Sequence, residues 1–311
     1  MLRTLFFAAA FIIVSSCGGS KPVSDAPGAG TIVLRLAESM GPDHPSAKTM
    51  EHFAALVHRR SGGKIRIRVY YEGRLGTPEE VIAQIQFGGI AMARVNGLEL
   101  SETVPALQDV FRPHSYTSGA TVMEQIAVER ERIADACLRE RLMPLVFYYP
   151  DIRCLYSEGF RFRAAADFRG IRIGTVGSRI LKEALGALGA IPVDLVSADT
   201  YKSLRNGYIH ARETTFSEFA LSDDYRFIKN LLLSRYLASP DAIVMSPEIL
   251  NGLSAGERQM IADCAAETYA YQKEQQDTFH IKWITKMRED DKDVFWEDER
   301  LKTDIGIALR R

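Results

Sequence analysis

Apolar residues change their spacing at regular intervals along this chain, and that alternation limits the fold more than any other feature. Thr31 to Leu36 is a β-branched run suited to a buried strand, and Met40-Gly41-Pro42-Asp43-His44-Pro45 then turns the chain. Met50, Phe53, Ala54 and Val57 recur at helical spacing until Ser61-Gly62-Gly63 stops the helix. Ile65, Ile67 and Val69 then alternate with Arg66, Arg68 and Tyr70, the period of a strand with one solvated face. Thr77-Pro78-Glu79-Glu80 is a capping box with proline at the first helical position, and the helix it opens runs to Gly88-Gly89 before Ile90 to Val95 returns to strand. The same grammar recurs around 142–149, 171–176 and 191–196. Strands alternating with helices of this length predict βαβ units, a mostly parallel sheet and two α/β layers, one on each side of a hinge. Ser254-Ala255-Gly256-Glu257 is a second capping box, and the helical pattern after it continues to about Met287, about 50 Å at about 1.5 Å per residue. Such a helix is long enough to brace two domains.

The first 30 residues follow other rules. Arg3, an apolar run from Leu5 to Val14, and Ser15-Ser16 before Cys17 have the layout of a signal peptide over residues 1–16. The run is about half the 20 residues a membrane span needs. Val14-Ser15-Ser16-Cys17 resembles the bacterial lipobox, whose cysteine becomes a diacylglyceryl-modified amino terminus after cleavage. Gly18 to Gly30 cannot bury apolar surface, so residues 17–30 are expected to form a lipid-anchored flexible tether. Cys137, Cys154 and Cys264 sit beside apolar residues in helical or strand patterns and are expected to be buried thiols.

With 39 basic and 40 acidic side chains, the chain has no electrostatic footprint for nucleic acid. The six histidines form neither an HExxH nor another paired ligand spacing, and there is no GxSxG or phosphate-binding glycine loop. No enzyme activity, metal site or cofactor is therefore expected.

Five further segments are specific in combination. Gly63-Lys64-Ile65-Arg66-Ile67 with Glu72-Gly73-Arg74-Leu75-Gly76, and Asp167-Phe168-Arg169-Gly170-Ile171-Arg172-Ile173, come first. Ala187-Leu188-Gly189-Ala190-Ile191-Pro192-Val193, Leu204 to Glu213, and Leu253-Ser254-Ala255-Gly256-Glu257 follow. In this order, across about residues 31–290, they resemble the solute receptors of tripartite ATP-independent periplasmic (TRAP) transporters of the DctP-like family.

The resemblance implies an α/β, two-domain periplasmic solute-binding protein fold with hinge strands and a long carboxyl-terminal bracing helix. Domain I is expected from 31–150 plus about 247–311, domain II from 151–246, with hinges near Pro150 and Ser246. The implied function is a lipid-anchored receptor in the periplasm that closes over a small molecule and delivers it to TRAP membrane subunits. A lipid anchor also fits the subfamily that adds a TPR-type lipoprotein. The alternatives are the receptor of an ATP-driven importer and, more remotely, a hydrolytic enzyme.

In the family an arginine ending the strand of the second segment clamps the ligand carboxylate as a bidentate pair. This sequence has Gly174 there, with Thr175 next to it. Arg153 matches a second arginine of some members, and Arg179 could also reach inward. Glu213 matches the family glutamate, but Thr214 and Thr215 replace the asparagine and proline that follow it. Glu38, Asn96, and an apolar floor of Phe216 and Phe219 complete the expected ligand-binding set. Without the clamp, the ligand is expected to be less acidic and more apolar than the C4-dicarboxylates or sialic acid usual for that family.

Overall fold

The computed structural model describes residues 30–112, 119–195 and 199–309. Eleven strands are described: β1 (Ile32–Ala37), β2 (Ile65–Tyr70), β3 (Met92–Asn96), β4 (Met143–Phe147), β5 (Arg153–Ser157), β6 (Arg172–Thr175), β7 (Ile191–Asp194), β8 (Ala211–Thr215), β9 (Asn230–Ser234), β10 (Asp241–Met245) and β11 (Asp293–Trp296). The helices around the first sheet are α1 (Pro45–Arg60), α2 (Pro78–Gln86), α3 (Gly97–Thr103), α4 (Ala106–Val110), α5 (Gly119–Val128) and α6 (Arg130–Arg139). After them come α7 (Arg179–Ala187), α8 (Thr200–Arg205), α9 (Phe216–Leu221), α10 (Pro247–Asn251), α11 (Ala255–Glu289) and α12 (Glu299–Leu309).

Two sheets form, one per lobe, in the orders β2-β1-β3-β10-β4 and β11-β9-β5-β8-β6-β7. The first lobe holds three parallel neighbours, β2, β1 and β3, joined by βαβ connections through α1 and α2. The expectation of mostly parallel sheets needs correcting at two strands. β10 runs antiparallel to both β3 and β4, and β5 runs antiparallel to both β8 and β9. Each is the strand by which the chain enters a lobe from the other one, so it arrives from the opposite end.

The lobe boundaries also differ from those expected. β10 lies inside the first sheet although it precedes residue 247, while β11 and α12 belong with the second lobe, where α12 packs on α7. The chain therefore crosses three times, at 148–152, at 235–240 and along α11. Pro150 lies in a crossing. Ser246 does not, because it already follows the strand that has returned to the first lobe.

Alternation along the central strands fills layers on both faces. Ile243 and Met245 of β10 pack with Met50, Phe53 and Ile261 under α1 and α11, whereas Ala242 and Val244 turn toward Leu98 and Phe111. In β5, Cys154 and Tyr156 face Phe219 and Leu231, and Leu155 joins the opposite layer. Both faces of these strands are buried, which is why their sequences read as continuous apolar runs.

The long helix has 35 residues, about 50 Å, and opens with the expected Ser254–Glu257 capping box. Its amino-terminal half packs on α1 and β4, and its carboxyl-terminal half reaches α9 and β11. At its middle, Thr268, Gln272 and Gln276 form a buried polar stripe over the first crossing. Thr268 Oγ1 is 2.7 Å from the Tyr148 hydroxyl, and Gln272 Nε2 donates to the Tyr149 carbonyl at 3.1 Å. Cys137, Cys154 and Cys264 are free and buried, and burial pushes all three thiols up. Cys17 and the rest of the expected signal and tether, apart from Gly30, lie outside the described residues.

Candidate functional site

Each lobe carries a buried arginine–glutamate pair where its sheet meets the other lobe. In the first, Glu38 follows the end of β1 and Arg94 stands on the neighbouring β3. Arg94 Nε lies 3.1 Å from both Glu38 oxygens, while its Nη2 bonds Glu38 and, at 2.8 Å, Ser39 Oγ. Its Nη1 lies 3.5 Å from Asp241 Oδ1, which also accepts from Asn96 Nδ2 at 2.9 Å. Asn96 uses its own Oδ1 to cap α3 through the Leu98 amide.

In the second lobe, Arg153 at the start of β5 donates from Nε to Glu213 Oε1 at 2.7 Å and from Nη2 to Oε2. The Tyr236 hydroxyl donates to the same Glu213 Oε1 at 3.0 Å. Between the lobes, Asp151 on the first crossing lies 2.7 Å from His280 Nε2 of α11 and accepts from the Ser217 amide at 3.1 Å. Burial alone would raise this carboxyl, but the His280 hydrogen bond and nearby histidine charge outweigh it and hold Asp151 well below the usual range.

Together these groups enclose a cavity of about 60 Å³ between the lobes. The first lobe supplies His44, Arg94, Asn96, Glu99 and Asp241, the second supplies Arg153, Thr214, Thr215 and Glu218, and α11 supplies Gln272 and Gln276. Such a volume suits a few waters more than a sugar, so the lobes are in a closed arrangement. A contact between them agrees with this, since the Arg179 amide donates to Glu102 at 2.7 Å and its guanidinium reaches Gln108.

Carboxyl groups outnumber guanidiniums here. Burial raises Glu99 to about 7, against the opposing pull of Arg94. Asp241 is also raised, chiefly by burial, although Arg94 and Asn96 oppose it. His44 moves the other way, lowered first by burial and then by Arg94. Its Nδ1 accepts from the Ser46 amide at 3.1 Å to cap α1, which leaves the proton on Nε2.

Of the residues expected from sequence, Asn96, Arg153 and Thr214 line the cavity. Glu38 and Glu213 stand behind the two arginines and hold them. Arg179 sits at the interlobe rim.

The remaining expectations need correction. A Cβ on Gly174 would lie 2.9 Å from Ile209 Cδ1, 3.2 Å from Leu195 Cδ2 and 3.4 Å from Arg212 Cδ. Glycine there leaves no open space, because neighbouring side chains have closed over it. Thr175 is fully buried with its hydroxyl on the Val176 carbonyl at 3.4 Å, and Val176 rather than Thr175 reaches the cavity. Phe216 and Phe219 do not form an apolar floor. They pack in the second-lobe core, Phe219 against Tyr156 with ring centroids 4.5 Å apart and Phe216 edge-on to His280 at 5.3 Å. Most of the side chains that line the cavity are of polar type, although they present much of their apolar stems to it.

Sequence reasoning missed Arg94, Asp241, His44, Glu99, Asp151 and Gln272. Arg94 and Asp241 did leave a signal, each a lone charge in an otherwise apolar strand run. The other four stand in turns, crossings and helices where a polar residue is ordinary.

A model of the bacterial extracellular solute-binding protein family 7 (DctP) matches residues 36–303. A solute-binding protein of Chromohalobacter salexigens is 23% identical over 233 residues, 75% of this chain and 69% of that one. Among solved structures, a TRAP periplasmic solute-binding protein from Ochrobactrum anthropi superposes with a TM-score of 0.81 at 24% identity, covering 90% of this chain and 88% of that one. Another from Chromohalobacter salexigens, with bound D-glucuronate, gives 0.82 at 21% identity over 89% of this chain and 92% of that one.

Proposed function

Because the chain belongs to the DctP family of bacterial extracellular solute-binding proteins, we propose that it is the lipid-anchored periplasmic receptor of a TRAP-type secondary transporter. In this reading it closes over a small organic solute between its lobes and delivers it to membrane subunits. The observation that carries the reading is the pair of buried arginine–carboxylate clusters facing each other across a cavity lined by both lobes and by the bracing helix. Such convergence of charged and polar groups at a lobe boundary is the geometry of a closing ligand site.

The anchor rests on Cys17 and its lipobox-like surroundings. No helix among the described residues is long and apolar enough to cross a membrane. A TPR-type lipoprotein is the further partner that an anchored receptor suits.

The ligand proposal changes with the wall. Both cavity arginines already hold bidentate carboxylates from their own lobe, and the family clamp position is Gly174, so a C4-dicarboxylate would meet guanidiniums that are already paired, with only their remaining N–H donors to bind. That supports the less acidic ligand. The apolar side chains of the wall are Met40, Pro45 and Val176, and the stems of its polar residues add to that apolar surface.

Two measurements test the reading. Mass spectrometry of the molecule released on denaturing the purified protein should find a small organic solute. Cys17→Ser should move the protein from the membrane to the soluble fraction, and continued partition into detergent with the wild type would remove the anchor. Co-purification of a polytopic membrane protein with an ATPase would replace the TRAP assignment with an ATP-driven importer.

A further inference from the structure

Two residues of the cavity wall each carry a polar side-chain atom that has neither a partner nor access to solvent. His44 is 8% exposed and Gln272 5%, yet His44 Nε2 and Gln272 Oε1 make no hydrogen bond. Their chemistry is fixed by their other contacts. His44 Nδ1 is used as an acceptor by the α1 cap, so Nε2 carries the hydrogen and is a donor. Gln272 Nε2 donates to Tyr149 and Gln276, so Oε1 is the atom left over, an acceptor. A buried donor or acceptor without a partner is costly, and proteins retain such groups where a ligand satisfies them.

The charges around these atoms are one-sided. Glu38, Glu99, Asp151, Glu213, Glu218 and Asp241 lie on or directly behind the wall, against the guanidiniums of Arg94 and Arg153 and the imidazole of His280. Arg153 is taken up by Glu213, Arg94 by Glu38 with Asp241 beyond it, and His280 by Asp151. A second carboxylate entering this cavity would find only the remaining donors of guanidiniums already paired, and would share the cavity with Glu99 and Asp241. A cation would meet both favourably in a medium of low dielectric.

We infer that the cleft takes a solute bearing a positively charged nitrogen, which faces Glu99 and Asp241, while His44 Nε2–H donates to an acceptor on the solute and Gln272 Oε1 receives a donor from it. This rests on the reading of the cleft as the ligand site and adds the charge class of the ligand. An amine, amidine or zwitterion fits, with a zwitterion's single carboxylate received by His44. Burial is the main cause of the raised carboxyls of Glu99 and Asp241, and a cation placed beside them would favour their charged forms.

The test uses the protein purified in detergent, titrated calorimetrically with three four-carbon probes that differ only in their ends: succinate, 4-aminobutyrate and 1,4-diaminobutane. D-glucuronate and a wider set of amines, betaines, amino acids and organic acids follow in the same assay. The tightest binder should carry a basic or quaternary nitrogen and exceed its dicarboxylate counterpart at least tenfold. Glu99→Gln should weaken it at least tenfold without weakening the acids. His44→Asn keeps a side chain able to cap α1 but loses the Nε2–H, so it should weaken binding about tenfold with an unchanged melting temperature for the unliganded protein. Tightest binding by succinate, D-glucuronate or another acid without a basic nitrogen overturns the inference and leaves the receptor reading standing. Binding by nothing in the set at millimolar concentration, with no closure seen by scattering, removes both.

Discussion

Arg153 and Glu213 show what buried charge demands of single residues. Each is almost fully buried, and each satisfies the other through two hydrogen bonds, so removing one partner strands an uncompensated charge. Arg153→Ala should lower stability by about 3–5 kcal/mol in denaturant unfolding, whereas replacing both residues with hydrophobic ones of similar size should recover much of that loss. Glu99 makes a prediction of opposite sign. Its carboxyl is raised to about 7 in the fold against an ordinary value of 4.5, so the folded protein binds this proton more tightly than the unfolded chain. The group is neutral in both states below about pH 4.5 and costs nothing there; the penalty grows as pH rises and is complete above about 7, at up to about 3 kcal/mol. Glu99→Gln should therefore melt higher than wild type at pH 8, with the gap closing toward pH 4.5. Equal gaps at both pH values would show that burial does not raise this carboxyl. Arg153, Glu213, Glu38 and Asn96 were legible in the sequence because motif order or strand ends marked them. His44 and Gln272 were not, because their part depends on which atom a cap or a carbonyl has already used, and only the fold assigns that.

Elements whose causes are local could be read directly. Both capping boxes, the proline that opens α2 and the length of α11 follow from residues within a turn or two of each other. Ser254→Ala should cost about 1 kcal/mol by removing the side-chain acceptor of the Glu257 amide, measurable in urea unfolding. The direction of β5 and β10 depends on where the chain has come from, and no pattern within five residues records it. The surroundings of Gly174 are equally non-local. Leu195, just after β7, and Ile209, just before β8, converge on it from the strands on either side of β6, so Gly174→Ala should destabilise by about 1–3 kcal/mol through overpacking. Gly174→Arg should cost more and should bring no succinate binding. A well-folded Gly174→Arg protein that gains such binding would show that the family clamp can be restored at this position.

At the scale of the molecule, two crossing segments and one helix join two lobes, an arrangement that permits hinge closure without unfolding either lobe. A saturating, identified solute should lower the radius of gyration seen by small-angle scattering relative to the open form, and identical values would point to a rigid site. Two α/β layers and a bracing helix were foreseeable from the apolar periods, but the partition of the chain between lobes was not, since the last 20 residues look no different from a continuation of the first lobe. That partition bears on how the protein is born. The strand β4 has no neighbour but β10 in its sheet, and about 100 residues separate the two. In the second lobe, Leu301 and Ile305 of α12 enter the core from the very end of the chain. A polypeptide emerging amino terminus first can close neither hydrophobic core until most of its length is available, and contacts so distant in sequence form slowly. For the exported chain proposed above, this delay is useful: it leaves the protein linear enough to thread through a narrow translocation channel and lets it condense only on the far side.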